Sequence, residues 1–205
     1  MALTTEGAAE SSFEAVVLAA GAGARFGGGK LMTPWRGGVL LHGALESAFA
    51  APVRRVTVAW GADAGVPDAA RAWAEVHGET ARLRFVQALA HAQGLSASLK
   101  AAVASLGADC AGAFVFLGDM PRIPVAVLQP LAEAVTAGAP ASAPRYNGRR
   151  GHPVLIGRGL FGDLLKLEGD HGASALLKRL GPALADVEAP DDGVLYDVDR
   201  PEDLG

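Results

Sequence analysis

The sequence AVVLAAGAGARFGGGK, residues 15–30, contains the transition on which the predicted fold depends. It begins with a short, continuous apolar run, which is typical of a strand that helices cover on both faces. A glycine-rich loop follows directly and ends in the cation Lys30. In open parallel sheets, ligands bind beyond the carboxyl ends of the strands. The stretch therefore predicts an α/β fold with a binding site after its first strand.

Apolar runs alternate with helix-period segments along the rest of the chain, which indicates a mostly parallel central sheet with helices on both faces. The predicted strands are Ala15–Leu18, Val53–Ala59, Leu83–Gln87, Ala113–Leu117, His152–Ile156 and Val194–Val198. The predicted helices are Val39–Ala50, Pro67–His77, Ser96–Leu106, Pro124–Ala137, Leu160–Leu167 and Ala173–Leu180. The segment 145–151 predicts an exposed turn between two extended segments, such as a hairpin across one end of the sheet.

Composition and charge exclude several classes of protein. The chain has 205 residues, enough for one well-buried domain, and its net charge of -4 gives no support to a nucleic-acid binder. A single cysteine, Cys110, indicates a reducing compartment. No stretch approaches the length of a membrane span, and residues 1–12 are typical of a disordered tail and not of a secretory signal. We therefore expect a cytoplasmic protein with one domain at residues 13–205.

The glycine-rich loop fits neither of the two best-known nucleotide-binding motifs. A dinucleotide-binding loop starting at Gly21 would need a third glycine where Phe26 stands, and a P-loop would need glycine at Ala24 and a hydroxyl at Leu31. Both motifs nevertheless bind phosphates through the backbone N–H groups of small residues, which this loop also offers. The loop thus predicts a polyphosphate site; a plain connection with solvated cations is the alternative.

Carboxylates follow two of the predicted strands. Asp119 comes directly after the strand at 113–117, and Asp197 and Asp199 stand at the end of the last one. Mg²⁺ prefers one or two carboxylates together with phosphate oxygens. Side chains two apart on a strand share a face, so Asp197 and Asp199 would both point into one site, although only one need touch metal. A turn-capping role for Asp119 is the alternative.

The loop Leu18-Ala-Ala-Gly-x-Gly-x-Arg-Phe-Gly-x-x-Lys30 resembles the signature of the MobA-like nucleoside triphosphate (NTP) transferases, and most closely that of the molybdenum cofactor cytidylyltransferases. Further blocks are similar to that family's: Gly94-x-Ser-x-Ser-Leu99, Leu117-Gly-Asp-Met-Pro121, Tyr146-x-Gly-x-x-Gly-His-Pro153 and Asp197-x-Asp-x-Pro-Glu-Asp203. The resemblance implies a three-layer, Rossmann-like nucleotidyltransferase fold of the GT-A-like type. It also implies a role for each matching residue.

By that resemblance, Arg25, Lys30 and Asp119 are catalytic, and Asp119 and Asp199 hold Mg²⁺. The implied nucleotide-binding residues are Leu18, Ala19, Ala20, Gly21, Gly23, Arg25, Lys30, Gly94, Ser96, Ser98 and Asp119. The implied acceptor-binding residues are Arg149, Arg150, His152 and Asp170. Ser174 stands where the family has arginine, which leaves the acceptor open, with Arg149 and Arg150 as candidates to compensate.

The resemblance implies transfer of CMP from CTP to molybdopterin with release of pyrophosphate. The product would pass to a molybdenum hydroxylase, directly or through its maturation chaperone. Four alternatives remain at this point: GTP as donor, a sugar- or polyol-phosphate acceptor, an NAD-type oxidoreductase, and a non-catalytic nucleotide sensor. We expect Ser96 to cap the helix after Gly94. His42, His77 and His91 are given structural roles only.

Overall fold

A central sheet flanked by helices organises the chain. The computed structural model describes residues 12–21, 23, 26–169 and 172–204. The strands are β1 (Phe13–Ala19), β2 (Pro34–Trp35), β3 (Gly38–Val39), β4 (Val56–Trp60), β5 (Leu83–Gln87), β6 (Gly112–Leu117), β7 (Ala141–Tyr146), β8 (Arg149–Arg150), β9 (Val154–Gly157) and β10 (Leu184–Glu188). The α-helices are α1 (Leu40–Ala50), α2 (Val66–His77), α3 (Leu95–Ala104), α4 (Leu128–Thr136), α5 (Phe161–Leu164) and α6 (Ser174–Leu180).

Short 3₁₀ helices connect several of these elements. They are Lys30–Met32, His91–Gln93, Val125–Val127, Arg158–Leu160, Gly181–Ala183, Asp192–Leu195 and Pro201–Leu204. Across the described ranges, no helix has the length and apolar character needed to cross a lipid bilayer.

The strand order of the main sheet is β10-β7-β9-β6-β1-β4-β5, and β8 pairs with β7. Strands β5, β4, β1 and β6 run parallel, and β9 is antiparallel to both β6 and β7. The predicted mostly parallel α/β fold is therefore confirmed. Because β4 and β6 lie on opposite sides of β1, the chain changes direction across the sheet there. Ligands of open α/β sheets bind at such a point.

Two apolar cores lie on the two faces of the sheet. Along β1, Ala15 and Val17 belong to one core, while Val16 and Leu18 belong to the other. This alternation follows from the two-residue period of a strand. Helices α1, α2 and α4 pack on the first face, and α3, α5 and α6 pack on the second. A strand covered on both faces needs the continuous apolar run that the sequence shows.

The strand predicted at 194–198 is wrong. The segment crosses the ends of neighbouring strands and does not pair with one of them. His152 N–H donates to the Val194 carbonyl (2.8 Å), and Val198 N–H donates to the Asp119 carbonyl (3.0 Å). These bonds go to different strand ends, so no ladder forms. Val194 and Val198 are fully buried within this crossing segment. Burial there requires apolar side chains, as burial in a strand does, so the sequence pattern alone does not distinguish the two.

Strands β7 and β10 were not predicted. Pro144 lies inside β7, and an interior proline is a signal against a central strand because it donates no ladder bond. Strand β10 is short and pairs with β7 at the edge of the sheet. The predicted hairpin is confirmed: β7 and β8 pair antiparallel around Asn147-Gly148, both of which have positive φ.

Candidate active site

The glycine-rich loop turns back after β1 and brings Lys30 to the carboxyl edge of the sheet. The Gly23 carbonyl accepts hydrogen bonds from the N–H groups of Phe26 (2.9 Å) and Gly28 (3.1 Å). Gly23 has a φ of 60°, and a Cβ there would lie 3.0 Å from the Cβ of Lys30. Other residues rarely adopt this φ, so glycine at this position allows the loop to pass close to Lys30.

The ammonium group of Lys30 lies between two carboxylates. Its Nζ is 2.6 Å from Asp119 Oδ2 and 3.6 Å from Asp199 Oδ1. Only 13% of the Lys30 side chain is exposed, while the Asp119 and Asp199 side chains are 24% and 47% exposed. The structure therefore brings together three residues that the sequence singled out, at the ends of elements that are far apart along the chain.

The turn at Asp199 is fixed by a neighbouring carboxylate. Asp203 Oδ2 accepts hydrogen bonds from the backbone N–H groups of Asp199 (2.9 Å) and Arg200 (2.8 Å). Asp197 is exposed; partial loss of solvent and repulsion from Asp199 raise the pKa of its carboxyl above the ordinary value. Because this segment is not a strand, the expectation that Asp197 and Asp199 share a strand face no longer holds. Of the two, Asp199 is the carboxylate within 4 Å of Lys30.

Three of the cavities that open around these residues share Leu18 and Leu95 in their lining. The loop cavity, about 210 Å³, is lined by Leu18, Ala19, Gly21, Gly23, Lys30, Leu31, Leu95, Leu117 and Asp119. The helix cavity, about 380 Å³, is lined by Leu18, Ala20, Gly21, His91, Ala92, Gly94, Leu95 and Ser98. The strand cavity, about 230 Å³, is lined by Leu18, Leu95, Leu99, Val115, Leu117, Arg150, Gly151, His152, Val154, Gly172, Ala173, Ser174 and Leu177.

The two serines of the Gly-x-Ser-x-Ser block face different surroundings. Ser98 lines the helix cavity beside Gly94. Ser96 is buried, and its hydroxyl donates to the Glu168 carbonyl at 3.4 Å. The residue before helix α3 is Gly94, which makes no side-chain cap, so the expected capping role of Ser96 is wrong. A serine's spacing from the helix start does not show which neighbour its hydroxyl will meet.

The strand cavity is lined by three residues that the sequence singled out for the acceptor: Arg150, His152 and Ser174. Arg150 Nη2 is 3.4 Å from the Ser174 hydroxyl, so the serine that replaces the family's arginine contacts another arginine. His152 lines the same cavity, with its Nδ1 3.5 Å from the Val115 carbonyl. Arg149 is exposed and does not line the cavity. Of the two arginines that were expected to compensate for Ser174, Arg150 is the one in place.

Burial lowers the pKa of His152 below its ordinary value, and the Val115 carbonyl offsets this only in part. The unfolded chain therefore binds a proton at this histidine more readily than the folded one. We expect the free energy of unfolding to decrease as the pH is lowered from about 7 to about 5.5. His152→Gln should make this decrease shallower in urea titrations at several pH values. A variant with the wild-type slope would show that His152 binds a proton as readily in the folded protein as in the unfolded chain.

Two predicted site residues, Arg25 and Asp170, lie outside the described residues, as do residues 1–11 of the predicted tail. The structure adds one residue to the predicted set. His91 lines the helix cavity next to the predicted Gly94 and Ser98, although only a structural role was expected for it. The sequence feature that could have indicated this is its position after the end of β5 and three residues before Gly94.

Within the described ranges, no cluster of three or more His, Cys, Asp or Glu side chains is placed to hold a metal ion. The carboxylate pair of Asp119 and Asp199 is the hard-oxygen donor set beside the glycine-rich loop. Mg²⁺ is commonly bound by one or two carboxylates plus substrate phosphates and waters. The pair suits an ion that arrives with a phosphate ligand.

The chain matches one protein family and two relatives along most of its length. The family model described as the MobA-like NTP transferase domain matches residues 15–184. The chain is 26% identical to the molybdenum cofactor cytidylyltransferase of Escherichia coli (strain K12) over 195 residues, which covers 89% of this chain and 94% of that protein. It is 32% identical to the purine catabolism protein PucB of Bacillus subtilis (strain 168) over 203 residues, which covers 92% of each.

Solved structures share the fold. Rv0371c from Mycobacterium tuberculosis H37Rv superposes with a TM-score of 0.76 at 28% identity, covering 94% of this chain and 96% of that one. A complex of Rv0371c with manganese gives a TM-score of 0.72 at 26% identity, with the same coverage of both chains. The predicted three-layer arrangement is thereby confirmed.

Proposed function

Because the chain belongs to the MobA-like NTP transferase family, and is thus a nucleotidyltransferase, we propose that it transfers CMP from CTP to a molybdopterin-type acceptor and releases pyrophosphate. The convergence of Lys30, Asp119 and Asp199 beside the glycine-rich loop is the observation that carries this proposal. Similarity to a molybdenum cofactor cytidylyltransferase along nearly the whole chain supports the choice of donor and acceptor. The oxidoreductase alternative is set aside because the family transfers nucleotides.

In the proposed reaction, a phosphate oxygen of the acceptor attacks the α-phosphorus of CTP. A new P–O bond forms there, the bond from the α-phosphorus to the bridging oxygen of the β-phosphate breaks, and pyrophosphate leaves with the electron pair. A phosphate monoester is already ionised near neutral pH, so the reaction needs no general base. The protein's contribution is to position the two phosphates and to stabilise charge.

Lys30 is the described cation closest to this chemistry. Its ammonium lines the loop cavity, where the small residues Ala19, Gly21 and Gly23 leave room for backbone N–H groups to approach phosphate oxygens. Fixed donors of this kind stabilise the charge that builds on the departing pyrophosphate. We assign the same role to Arg25 on the strength of the sequence resemblance.

Nucleotidyltransferases of this kind use divalent metal ions, and we propose Mg²⁺ held by Asp119 and Asp199. Two carboxylates are the donor set that Mg²⁺ takes together with phosphate oxygens. When bound, the ion would neutralise charge on the α-phosphate and polarise its phosphorus for attack. Asp119 is fixed at the end of β6, and Asp199 is fixed by the Asp203 carboxylate, so the chain holds both donors in place.

We assign the strand cavity to the acceptor. Arg150 brings a guanidinium to it, and Ser174 contacts that group in place of the family's arginine. Seven aliphatic side chains make up most of the remaining lining: Leu18, Leu95, Leu99, Val115, Leu117, Val154 and Leu177. A sugar- or polyol-phosphate acceptor is the second candidate, because the family arginine is absent and the cavity holds only about 230 Å³.

Arg150→Gln should raise the KM for the phosphate-bearing acceptor by about tenfold or more, the scale of one lost hydrogen bond to a charged group. Steady-state kinetics with varied acceptor at saturating CTP measures this effect. Arg149→Gln is the matched control, since it removes the neighbouring guanidinium, which lies outside the cavity. Equal effects of the two substitutions would contradict the assignment of the strand cavity.

The function is tested by incubating the protein with Mg²⁺, each nucleoside triphosphate and molybdopterin carrying molybdenum, and identifying the products by mass. We expect the cytosine dinucleotide of the cofactor from CTP. Product from a sugar- or polyol-phosphate acceptor in the same assay would select the second candidate, and product from GTP would reassign the donor. Binding of CTP without pyrophosphate release from any acceptor would indicate a nucleotide sensor.

We further propose that residues 13–205 act as one domain in the cytoplasm. Molybdenum hydroxylases, or a chaperone that matures them, are the partners that would take up such a product. The resemblance to molybdenum cofactor cytidylyltransferases supports this partner class, and the acidic net charge of -4 gives no support to nucleic acid as a partner.

A further inference from the structure

His91 lines the helix cavity together with Ala20 and Gly21 at the start of the glycine-rich loop. It begins the short 3₁₀ helix His91–Gln93 between β5 and α3, and its ring lines the cavity together with Gly21 and Ser98. The residue is half-buried, and nothing in the roles assigned above uses it.

Two contacts fix the His91 ring. Its Nδ1 lies 3.0 Å from the Ala88 carbonyl oxygen. A carbonyl can only accept, so Nδ1 carries the hydrogen. On another side the ring packs against Gly61, where a Cβ would lie 2.7 Å from the ring's Cγ. With the hydrogen on Nδ1, the other nitrogen of the neutral ring, Nε2, is a hydrogen-bond acceptor.

The rest of the described lining favours an uncharged group. Leu18, Ala20, Ala92 and Leu95 contribute apolar surface, and Ser98 contributes a hydroxyl. No charged side chain lines this cavity among the described residues, in contrast with the loop cavity beside it. Phosphates are therefore better placed at Lys30, and a nucleobase is better placed at His91. The two cavities share Leu18, Gly21 and Leu95, so one nucleotide would span them.

The sequence resemblance already implies that Gly94 and Ser98 of the helix cavity bind the nucleotide. We propose that Nε2 of His91 accepts a hydrogen bond there from the exocyclic amino group of cytosine. The inference rests on the proposed function for the presence of a nucleoside triphosphate. UTP carries an oxygen at the position of that amino group, so two acceptors would face each other. His91 would thus distinguish CTP from UTP, which have nearly the same size and shape.

The test compares kcat/KM for CTP and UTP in the wild type and in His91→Phe, which keeps a ring but removes the acceptor. We expect the wild type to prefer CTP by about tenfold or more, because a site built to hydrogen-bond a substrate group rejects an analogue without it. His91→Phe should lose most of this preference through weaker use of CTP. His91→Gln, which again offers an acceptor, should restore use of CTP in part.

Leu89→Ala is the matched control, because Leu89 lies in the same connection with 81% of its surface exposed and does not line the cavity. It should keep the wild-type CTP to UTP ratio. A wild type that uses both nucleotides equally, or a His91→Phe protein that keeps the wild-type ratio, would overturn the proposal.

Thermal stabilisation of each protein by CTP and by UTP gives a second readout that needs no turnover. Absence of pyrophosphate release from every nucleotide would count against the proposed function. The difference between stabilisation by CTP and by UTP would still decide the role of His91, since it depends on binding alone.

Discussion

Replacing Asp119 by alanine will lower the rate of pyrophosphate release by about a hundredfold or more, the scale seen when one electrostatic partner of a transition state is lost. Asp119 contacts Lys30 Nζ at 2.6 Å at the end of β6 and is one of two carboxylates proposed to hold Mg²⁺. Without it, both the ion and the ammonium lose the group that positions them. A continuous assay of pyrophosphate with CTP, Mg²⁺ and acceptor measures the loss.

The folded state should survive this change. Asp119 is partly exposed, and its other anchor is a backbone bond from Val198 N–H to its carbonyl, which alanine keeps. Circular dichroism and a thermal midpoint near that of the wild type would establish this. Asp68→Ala removes a carboxylate on α2 that is 84% exposed, and should leave the rate unchanged. Near-normal pyrophosphate release by Asp119→Ala would refute the metal assignment.

Phe114→Ala should lower the free energy of unfolding by about 3–5 kcal/mol, the usual cost of removing a buried phenylalanine and leaving a cavity. Phe114 lies on β6 with none of its surface exposed. It meets the Phe13 ring edge-on with centroids 6.4 Å apart, and the Phe116 ring with centroids 6.1 Å apart. Urea denaturation followed by circular dichroism measures the change.

Val76→Ala provides the comparison, because Val76 is 82% exposed on α2 and should change stability by less than about 0.5 kcal/mol. If Phe114→Ala cost no more than Val76→Ala, the packing described for that face of the sheet would be incorrect. Since β6 ends at the site, the same variant should also lower activity near its reduced melting temperature.

The strands buried on both faces were the predictable part of the fold. β1 and β6 were located within two residues at each end, because a strand covered by helices on both faces must be continuously apolar. β5, at the edge of the sheet, was also located, although its Arg84 and Gln87 are exposed. The helices were located for a related reason, since apolar residues recur with the period of a helix, as on α2 and α4. Gly138, with a φ of 108°, follows α4 as expected of a glycine after a helix end.

The edge of the sheet could not be predicted in the same way. β7 contains Pro144, and β10 is a short edge strand, so neither has the pattern of a buried strand. The run 194–198 has the apolar pattern of a buried strand but does not form one. Burial of a segment that crosses the strand ends requires the same apolar side chains as burial in a sheet. Sequence periodicity reports burial, and it identifies a strand only where the buried segment also pairs.

The site was predictable where chemistry is carried by residue type. A cation at the end of a glycine-rich loop and carboxylates after predicted strands favour an anion site and a metal site, and the structure brings Lys30, Asp119 and Asp199 together, although the segment before Asp199 is not a strand. The contact of Arg150 with Ser174 and the cavity position of His91 depend on which elements meet in space. No spacing within the sequence specifies that arrangement.

The segment that carries Asp199 lies beyond residue 184, where the family match ends. It is joined to the strand ends by the backbone bonds at Val194 and Val198, outside any sheet ladder. A protein shortened before Asp199 would keep every strand and α-helix of the sheet domain, yet it would have only one of the two carboxylates proposed to hold Mg²⁺. Trimming the C-terminus to a minimal folded unit would therefore remove part of the proposed metal site, whatever it does for solubility or yield.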